Sequence, residues 1–204
     1  MDDDDLPKVD ALTADDRLFA VGDKDWMSNA CLNFGDPEVG YVDGFRKAAD
    51  LAVEHVLLTR NDQDHLVYPV VFGYRQYLEL RLKGLLRDAS CLLDKVTPSP
   101  KLLGNHKLSP LWNELHPLLE TIFGNDQSEQ RRLIGERIEE FSEMDPDSFS
   151  FRYATTKTGS QSLPRDLWHI NLARLRTVMG KIALILDGAD NGISVYLEYK
   201  AEMK

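Results

Sequence analysis

Residues 69–93, PVVFGYRQYLELRLKGLLRDASCLL, form the most apolar long segment of this chain. Apolar residues recur through the segment at three- and four-residue steps, which is the spacing of a helix with a buried face. Pro69 suits the first position of such a helix, because the N–H that proline lacks would be unpaired there in any case. We therefore predict a long central helix from Pro69 to about Leu93.

Four charged residues lie at four-residue intervals along this predicted helix: Arg75, Glu79, Lys83 and Arg87. At that spacing their side chains follow a single line on the helix surface. One interpretation is a solvent-facing ladder of ion pairs, which is the usual role of such a line. The other interpretation is a functional groove, in which Arg75, Glu79 and Lys83 bind a ligand.

Helical patterns continue on both sides of this segment. Apolar residues are spaced as in amphipathic helices over residues 41–60, from Ser109 onward, over 128–144 and over 162–187. These patterns predict an all-α protein built as a bundle of about five helices. The polar stretch 147–161 is predicted to be a loop. After Asn191-Gly192, apolar and polar residues alternate from Ile193 to Lys200, which predicts a short C-terminal strand.

Composition divides the chain into an acidic, partly flexible arm over residues 1–40, the helical bundle over 41–187, and a strand or tail over 188–204. The formal net charge is −10, yet residues 75–107 and 152–181 each contain more basic than acidic residues. These segments either form one basic face or pair with the acidic segments across the fold. The chain has two cysteines without a CxxC pair and no apolar run long enough to span a bilayer. We expect a cytoplasmic protein without a metal or cofactor and without membrane contact.

The connector between the first two predicted helices reads RNDQDH over residues 60–65. It resembles the signature of the HEPN superfamily, compact helical bundles of toxin-antitoxin and phage-defence systems. A second likeness, to HEPN-like proteins of bacteria and phages, covers roughly residues 40–187. It comprises Tyr68-Pro69, residues 75–83, His106-Lys107-Leu108, Asp145-Pro146 and Phe151-Arg152-Tyr153.

The resemblance implies an HEPN-like fold and metal-independent cleavage of RNA by a homodimer. His65 would then be the general base, Arg60 would hold the developing phosphorane charge, and Asn61 would orient one of the two. A neutral imidazole can accept the proton of a ribose 2′-hydroxyl, and a guanidinium can bind phosphate oxygens through two hydrogen bonds. The three residues Arg60, Asn61 and His65 are therefore the candidate catalytic set.

A second candidate site lies in the polar loop. Arg152, Tyr153 and Lys157 combine an aromatic ring with two cations, which could hold a phosphate or a stacked base. The alternative is that Phe151 and Tyr153 anchor the loop to the core while Arg152 pairs with Glu79. His106, in a loop ahead of a helix, either caps that helix or binds an anion.

Two hypotheses about function follow. The first is an endoribonuclease of a toxin or phage-defence system, acting through Arg60 and His65. The alternative is a non-catalytic regulatory or structural module of such a system, which binds RNA, a nucleotide or a cognate protein partner through Arg75, Lys83, Arg152 and Lys157. Replacing His65 by alanine discriminates between them, because the second hypothesis predicts no effect of that change.

Overall fold

The computed structural model describes residues 11–14, 16–19, 26–32, 35, 37–125 and 127–203. The chain divides into two compact units, residues 1–37 and residues 38–204. The described part of the first unit contains one 3-10 turn, Trp26–Ser28, with no buried side chain. The aspartate run Asp2–Asp5 and much of the predicted acidic arm lie outside the described residues.

Six helices account for the regular structure of the described residues. They are α1 (Pro37–Thr59), α2 (Gln63–Leu92), α3 (Pro100–Leu103), α4 (Leu108–Phe123), α5 (Ser128–Met144) and α6 (Leu172–Glu202). The described residues include no strand, and the one β-bridge among them pairs Thr155 with Gln161. The predicted all-α class is thus confirmed. None of the helices in the described ranges is long and apolar enough to cross a membrane.

Helix α2 is the centre of the second unit, and α4 and α6 pack against it. Helix α5 packs in turn on α4. Leu78, Leu82 and Leu85 on α2 are fully buried, as are Leu111 and Leu115 on α4. Because α4 and α6 both cover α2, its buried residues are not confined to a single face.

Helix α1 approaches α2 closely at a glycine. A Cβ atom on Gly73 would lie 3.1 Å from the Phe45 carbonyl oxygen and 3.2 Å from the Ala49 Cβ. Charged groups join the same helices to α6, because Asp187 accepts from Arg46 Nη1 at 2.6 Å and from the Tyr77 hydroxyl at 2.9 Å. Glycine at position 73 therefore allows α1 to pack close enough for these contacts.

The predicted C-terminal strand is wrong, since α6 continues through residues 188–202. Ile193 is fully buried and Leu197 is partly buried, whereas Val195 between them and Tyr199 after them are exposed. The apolar residues that face the core are therefore four positions apart, as in a helix. The two-residue alternation in the sequence does not match the set of residues that is buried. Lys200 secures this end, because its Nζ donates to the Leu92 carbonyl oxygen at 2.7 Å at the end of α2.

Three helix starts also differ from prediction. Helix α1 begins at Pro37 rather than at residue 41, so it includes the last residues assigned to the predicted arm. Helix α2 begins at Gln63 and so contains Pro69 in its interior, and α6 begins at Leu172 rather than at residue 162. Asn171 caps α6, since its side-chain oxygen accepts from the Arg174 N–H at 2.9 Å. The boundaries of α5 are as predicted, and residues 147–161 contain no helix.

Candidate functional site

The line of charged residues on α2 is largely buried. The side chains of Arg75 and Glu79 are 0% and 1% exposed, and that of Lys83 is 14% exposed. The predicted solvent-facing ladder is therefore wrong for Arg75 and Glu79, although the expected pairing between positions four apart is present. Sequence spacing places these residues on one face of α2, but only the packing of other segments decides whether water reaches that face.

Arg75 ties α2 to two segments that are distant in the sequence. Its Nη2 donates to the His106 carbonyl oxygen at 2.6 Å, and its Nε donates to the Asp145 carbonyl oxygen at 3.1 Å. Its Nη1 donates to Glu79 Oε2 at 3.2 Å. Burial lowers the pKa of Arg75, and the charges of Asp145 and Glu79 oppose that effect. The guanidinium thus positions His106 beside α2.

Glu79 holds two polar side chains with a single oxygen atom. Glu79 Oε1 accepts from Lys83 Nζ at 2.7 Å and lies 2.9 Å from His106 Nδ1. Burial acts to raise the pKa of Glu79, but the hydrogen bonds and charges of Lys83 and His106 outweigh burial, and the pKa lies below its usual value. Glu79 is therefore an ionised carboxylate inside the protein.

His106 has one buried contact and one open ring nitrogen. An ionised carboxylate can only accept hydrogen bonds, so Nδ1 of His106 must carry the proton that faces Glu79. In the neutral ring Nε2 is then an acceptor. The side chain is 63% exposed, and among the described residues Nε2 has no hydrogen-bond partner. This is the arrangement of a general base whose tautomer is set by a carboxylate.

The loop that follows α5 brings Arg152 next to this group. Arg152 Nε donates to the Ser148 carbonyl oxygen at 2.6 Å, and its guanidinium lies 5.4 Å from the ring centre of Phe72 and 5.5 Å from that of Tyr153. After the effects of burial and of its carboxylate partners, repulsion from Arg152 also lowers the pKa of Arg75. The described contacts of Arg152 do not include Glu79, so the predicted pairing of these two is not formed. Phe151 is buried and anchors the loop, whereas Tyr153 is 52% exposed.

We call Arg75, Glu79, Lys83, His106 and Asp145 the Glu79 cluster. Its two carboxylates are paired with Arg75 and Lys83, and Arg152 adds a third cation close by. One positive charge is therefore unbalanced even when His106 is neutral. A partly exposed site with excess positive charge favours an anionic ligand. Asp145 was not among the predicted site residues, because its role depends on a contact seventy residues from Arg75.

Lys157 lies apart from the Glu79 cluster. The bridge between Thr155 and Gln161 closes a short turn in which Gly159 has a φ of 82°. Lys157 is exposed within this turn, and its described contacts include no member of the cluster. It therefore remains a candidate only for a ligand that extends beyond the cluster.

The predicted catalytic set Arg60, Asn61 and His65 lies at the turn between α1 and α2. All three are exposed, and neither the Arg60 guanidinium nor the His65 imidazole has a hydrogen bond to another described residue. Arg60 adopts the left-handed backbone conformation with a φ of 60°. The turn is instead tied by His55, whose Nε2 lies 2.8 Å from Asp62 Oδ2. The sequence did not single out His55, because its partner lies seven residues away, in the connector between α1 and α2.

The folded chain thus brings together Arg75, Glu79, Lys83 and His106, with Arg152 and Tyr153 beside them, and it leaves Lys157 and the α1–α2 turn outside this group. Compared with known proteins, the chain matches no family model, no curated protein and no solved structure.

Proposed function

We propose that this chain is an HEPN-like endoribonuclease of a toxin or phage-defence system, with His106 rather than His65 as its general base. The observation that carries the proposal is the buried carboxylate of Glu79 at 2.9 Å from the Nδ1 atom of an exposed imidazole. Lys83 on the same carboxylate oxygen and Arg152 nearby supply positive charge for the phosphate. The resemblance of residues 40–187 to HEPN-like proteins and the all-helical fold support the family part of the proposal.

The reaction needs only groups of the chain and of the RNA. His106 Nε2 takes the proton of a ribose 2′-hydroxyl, and the 2′-oxygen attacks the adjacent phosphorus. The bond from phosphorus to the 5′-oxygen breaks, and the imidazolium returns its proton to that oxygen. Nearby cations stabilise the extra negative charge of the phosphorane. The products are a 2′,3′-cyclic phosphate and a 5′-hydroxyl.

A second candidate for the base is His65, as the HEPN resemblance implies. Its supporting observation is that Arg60, Asn61 and His65 are exposed together at one turn, where a second copy of the chain could meet them. In that arrangement the active unit is a homodimer. The two candidates require different histidines and can be separated by single substitutions.

The test is incubation of total cellular RNA with the wild-type protein and its His106→Ala and His65→Ala variants in excess chelator. Cleavage rates and the chemistry of the new 3′ ends are measured. We expect the wild type and His65→Ala to produce cyclic phosphate ends, and His106→Ala to be slower by at least about 100-fold, the usual contribution of a general base. Lys47→Ala, at an exposed position of α1 without a described side-chain contact, is the matched control and should cleave as the wild type does. Slow cleavage by His106→Ala, purified in the same way, excludes a contaminating nuclease.

The other outcomes assign the function differently. Loss of cleavage in His65→Ala alone would move the active site to the α1–α2 turn. Intact RNA with all proteins would reject catalysis and leave the alternative, a module that binds RNA, a nucleotide or a cognate protein partner. Equal circular dichroism spectra of the variants would exclude unfolding as the cause of a loss.

A further inference from the structure

A small cavity of about 280 Å³ opens between the start of α2 and the loop that follows α5. Tyr68 lies on the α2 side, and Arg152, Tyr153 and Gln161 lie on the loop side. Its volume is near the lower limit for pockets that bind small organic molecules. The cavity is thus too small for a folded RNA, but its size suits a single nucleotide unit.

The loop that forms one wall is held in place by buried groups. Asp145, which is 1% exposed, accepts hydrogen bonds from the Phe149 and Ser150 N–H groups at 2.7 and 2.8 Å. Ser148 is 2% exposed and adopts a left-handed backbone with a φ of 57°. Its carbonyl oxygen then accepts from Arg152 Nε. The loop conformation is therefore determined before any ligand binds, which lowers the entropy cost of binding.

Arg152 presents free donors at this cavity. Its Nε is occupied by Ser148, and its planar group is held by the rings of Phe72 and Tyr153. Among the described residues, no hydrogen bond involves its two Nη atoms. An oriented guanidinium with two free N–H edges is suited to bind phosphate oxygens through two hydrogen bonds.

The remaining wall offers contacts for a base. Tyr68 is 46% exposed, and its ring has no aromatic partner among the described residues. Gln161 is exposed, while its backbone is held by the bridge to Thr155. A ring for stacking and an amide with both donors and an acceptor are groups that recognise a nucleobase.

We propose that this cavity binds one nucleoside 5′-monophosphate unit, with the phosphate on Arg152 and the base between Tyr68 and Gln161. The proposal does not require RNA cleavage, because the site is defined by its own residues and a mononucleotide cannot be cleaved by the reaction above. If the protein is a binding module, this cavity identifies its ligand as a nucleotide. If the protein is a ribonuclease, the cavity would hold one nucleotide of the RNA substrate.

The experiment is calorimetric titration of the full chain, in chelator, with AMP, GMP, CMP and UMP, and with inorganic phosphate and the corresponding nucleosides for comparison. The proteins are the wild type, Arg152→Gln, Tyr68→Leu, and Lys47→Ala, which removes an exposed cation of α1 that has no described side-chain contact. We expect saturable binding of at least one monophosphate to the wild type and to Lys47→Ala. Arg152→Gln should weaken it by about 10- to 100-fold, the effect of losing a charge-assisted hydrogen bond.

Tyr68→Leu provides a second criterion that does not disturb the loop. It should weaken binding of the monophosphate while leaving the weaker binding of inorganic phosphate unchanged, because it removes only the stacking surface. No saturable binding of any monophosphate to the wild type, or equal affinities in the wild type and Arg152→Gln, would overturn the proposal. Binding of phosphate as tight as that of nucleotides would overturn the base subsite. Each result stands whether or not RNA is cleaved.

Discussion

Glu79 shows how a buried carboxylate remains ionised in this protein. A carboxylate removed from water is costly unless it is paired and hydrogen-bonded. Arg75, Lys83 and His106 contact its two oxygens, so the carboxylate has three partners and stays ionised. The same contacts that stabilise the charge also orient His106, which links stability at this position to the proposed chemistry.

The pH dependence of stability tests this account. The pKa of Glu79 is lowered in the folded protein, so the stability it contributes is present above its unfolded pKa and is lost as pH falls through the folded pKa. We expect Glu79→Gln to reduce the free energy of unfolding by about 1–3 kcal/mol at pH 7. The difference from the wild type should shrink below about pH 4.3, the usual pKa of glutamate. Urea denaturation of both proteins between pH 7 and pH 3 measures this difference in the free energy of unfolding.

Glu143→Gln is the matched control, since it removes one carboxylate from an exposed position without a described contact. Its denaturation midpoint should follow that of the wild type at each pH. A constant difference between wild type and Glu79→Gln from pH 7 to pH 3 would contradict an ionised, paired Glu79.

Helix α6 is the element whose structure departs most from its sequence pattern. Its second half contains Gly188 and Gly192, which lower helix propensity, and the alternating residues that follow them. It is helical because Ile193 and Leu197 pack on the core and Lys200 binds the end of α2. Tertiary contacts therefore outweigh local preference along this segment.

Two glycine substitutions test the helix directly. A Cβ atom on Gly188 meets nothing within 4 Å, whereas one on Gly192 lies 3.1 Å from the Phe123 ring. Gly188→Ala should therefore stabilise the protein by about 0.4–1 kcal/mol, by restricting the unfolded chain and favouring the helix. Gly192→Ala should be less favourable, because the Phe123 ring must move. Thermal and urea denaturation of both variants provide the changes in the free energy of unfolding. Destabilisation by Gly188→Ala would argue against a helix at residue 188.

At the scale of the whole second unit, ion pairs and hydrogen bonds join α6, the last helix, to α1 and α2. Asp187 on α6 forms ion pairs with Arg46 of α1 and Arg81 of α2, and it accepts a hydrogen bond from the Tyr77 hydroxyl of α2. Burial and the neighbouring Asp187 carboxylate raise the pKa of Tyr77, which keeps this phenol protonated as a donor. The contacts join α1 and α6 to each other and to the middle of the central helix.

Asp187→Ala is expected to loosen this assembly. The change removes the acceptor of the Tyr77 hydroxyl and leaves Arg46 and Arg81 with fewer partners, at a cost of about 1–3 kcal/mol. Hydrogen exchange should show faster opening of α1 than of α4, because the described hydrogen bonds and ion pairs of Asp187 involve α1 and α2 and not α4. Asp147→Ala, at a position 71% exposed, is the matched control and should leave exchange unchanged. Equal exchange rates for α1 in Asp187→Ala and wild type would contradict the role of this residue.

The amino-acid sequence by itself determined the all-helical class, the bounds of α5 and the loop over residues 147–161. Helical periodicity and the polar breakers between helices are local signals, so they can be interpreted without knowing the fold. It also placed Arg75, Glu79 and Lys83 on one line, because four-residue spacing alone determines that.

Only the tertiary structure decided that this line is buried, that His106 meets Glu79 from 27 positions away, and that α6 extends to Glu202. Burial and side-chain pairing depend on which distant segments cover a helix face. His106, just before α4, and Asp145, just after α5, both meet Arg75 of α2 in the folded chain. The identity of the proposed base, His106 instead of His65, is a consequence of that convergence.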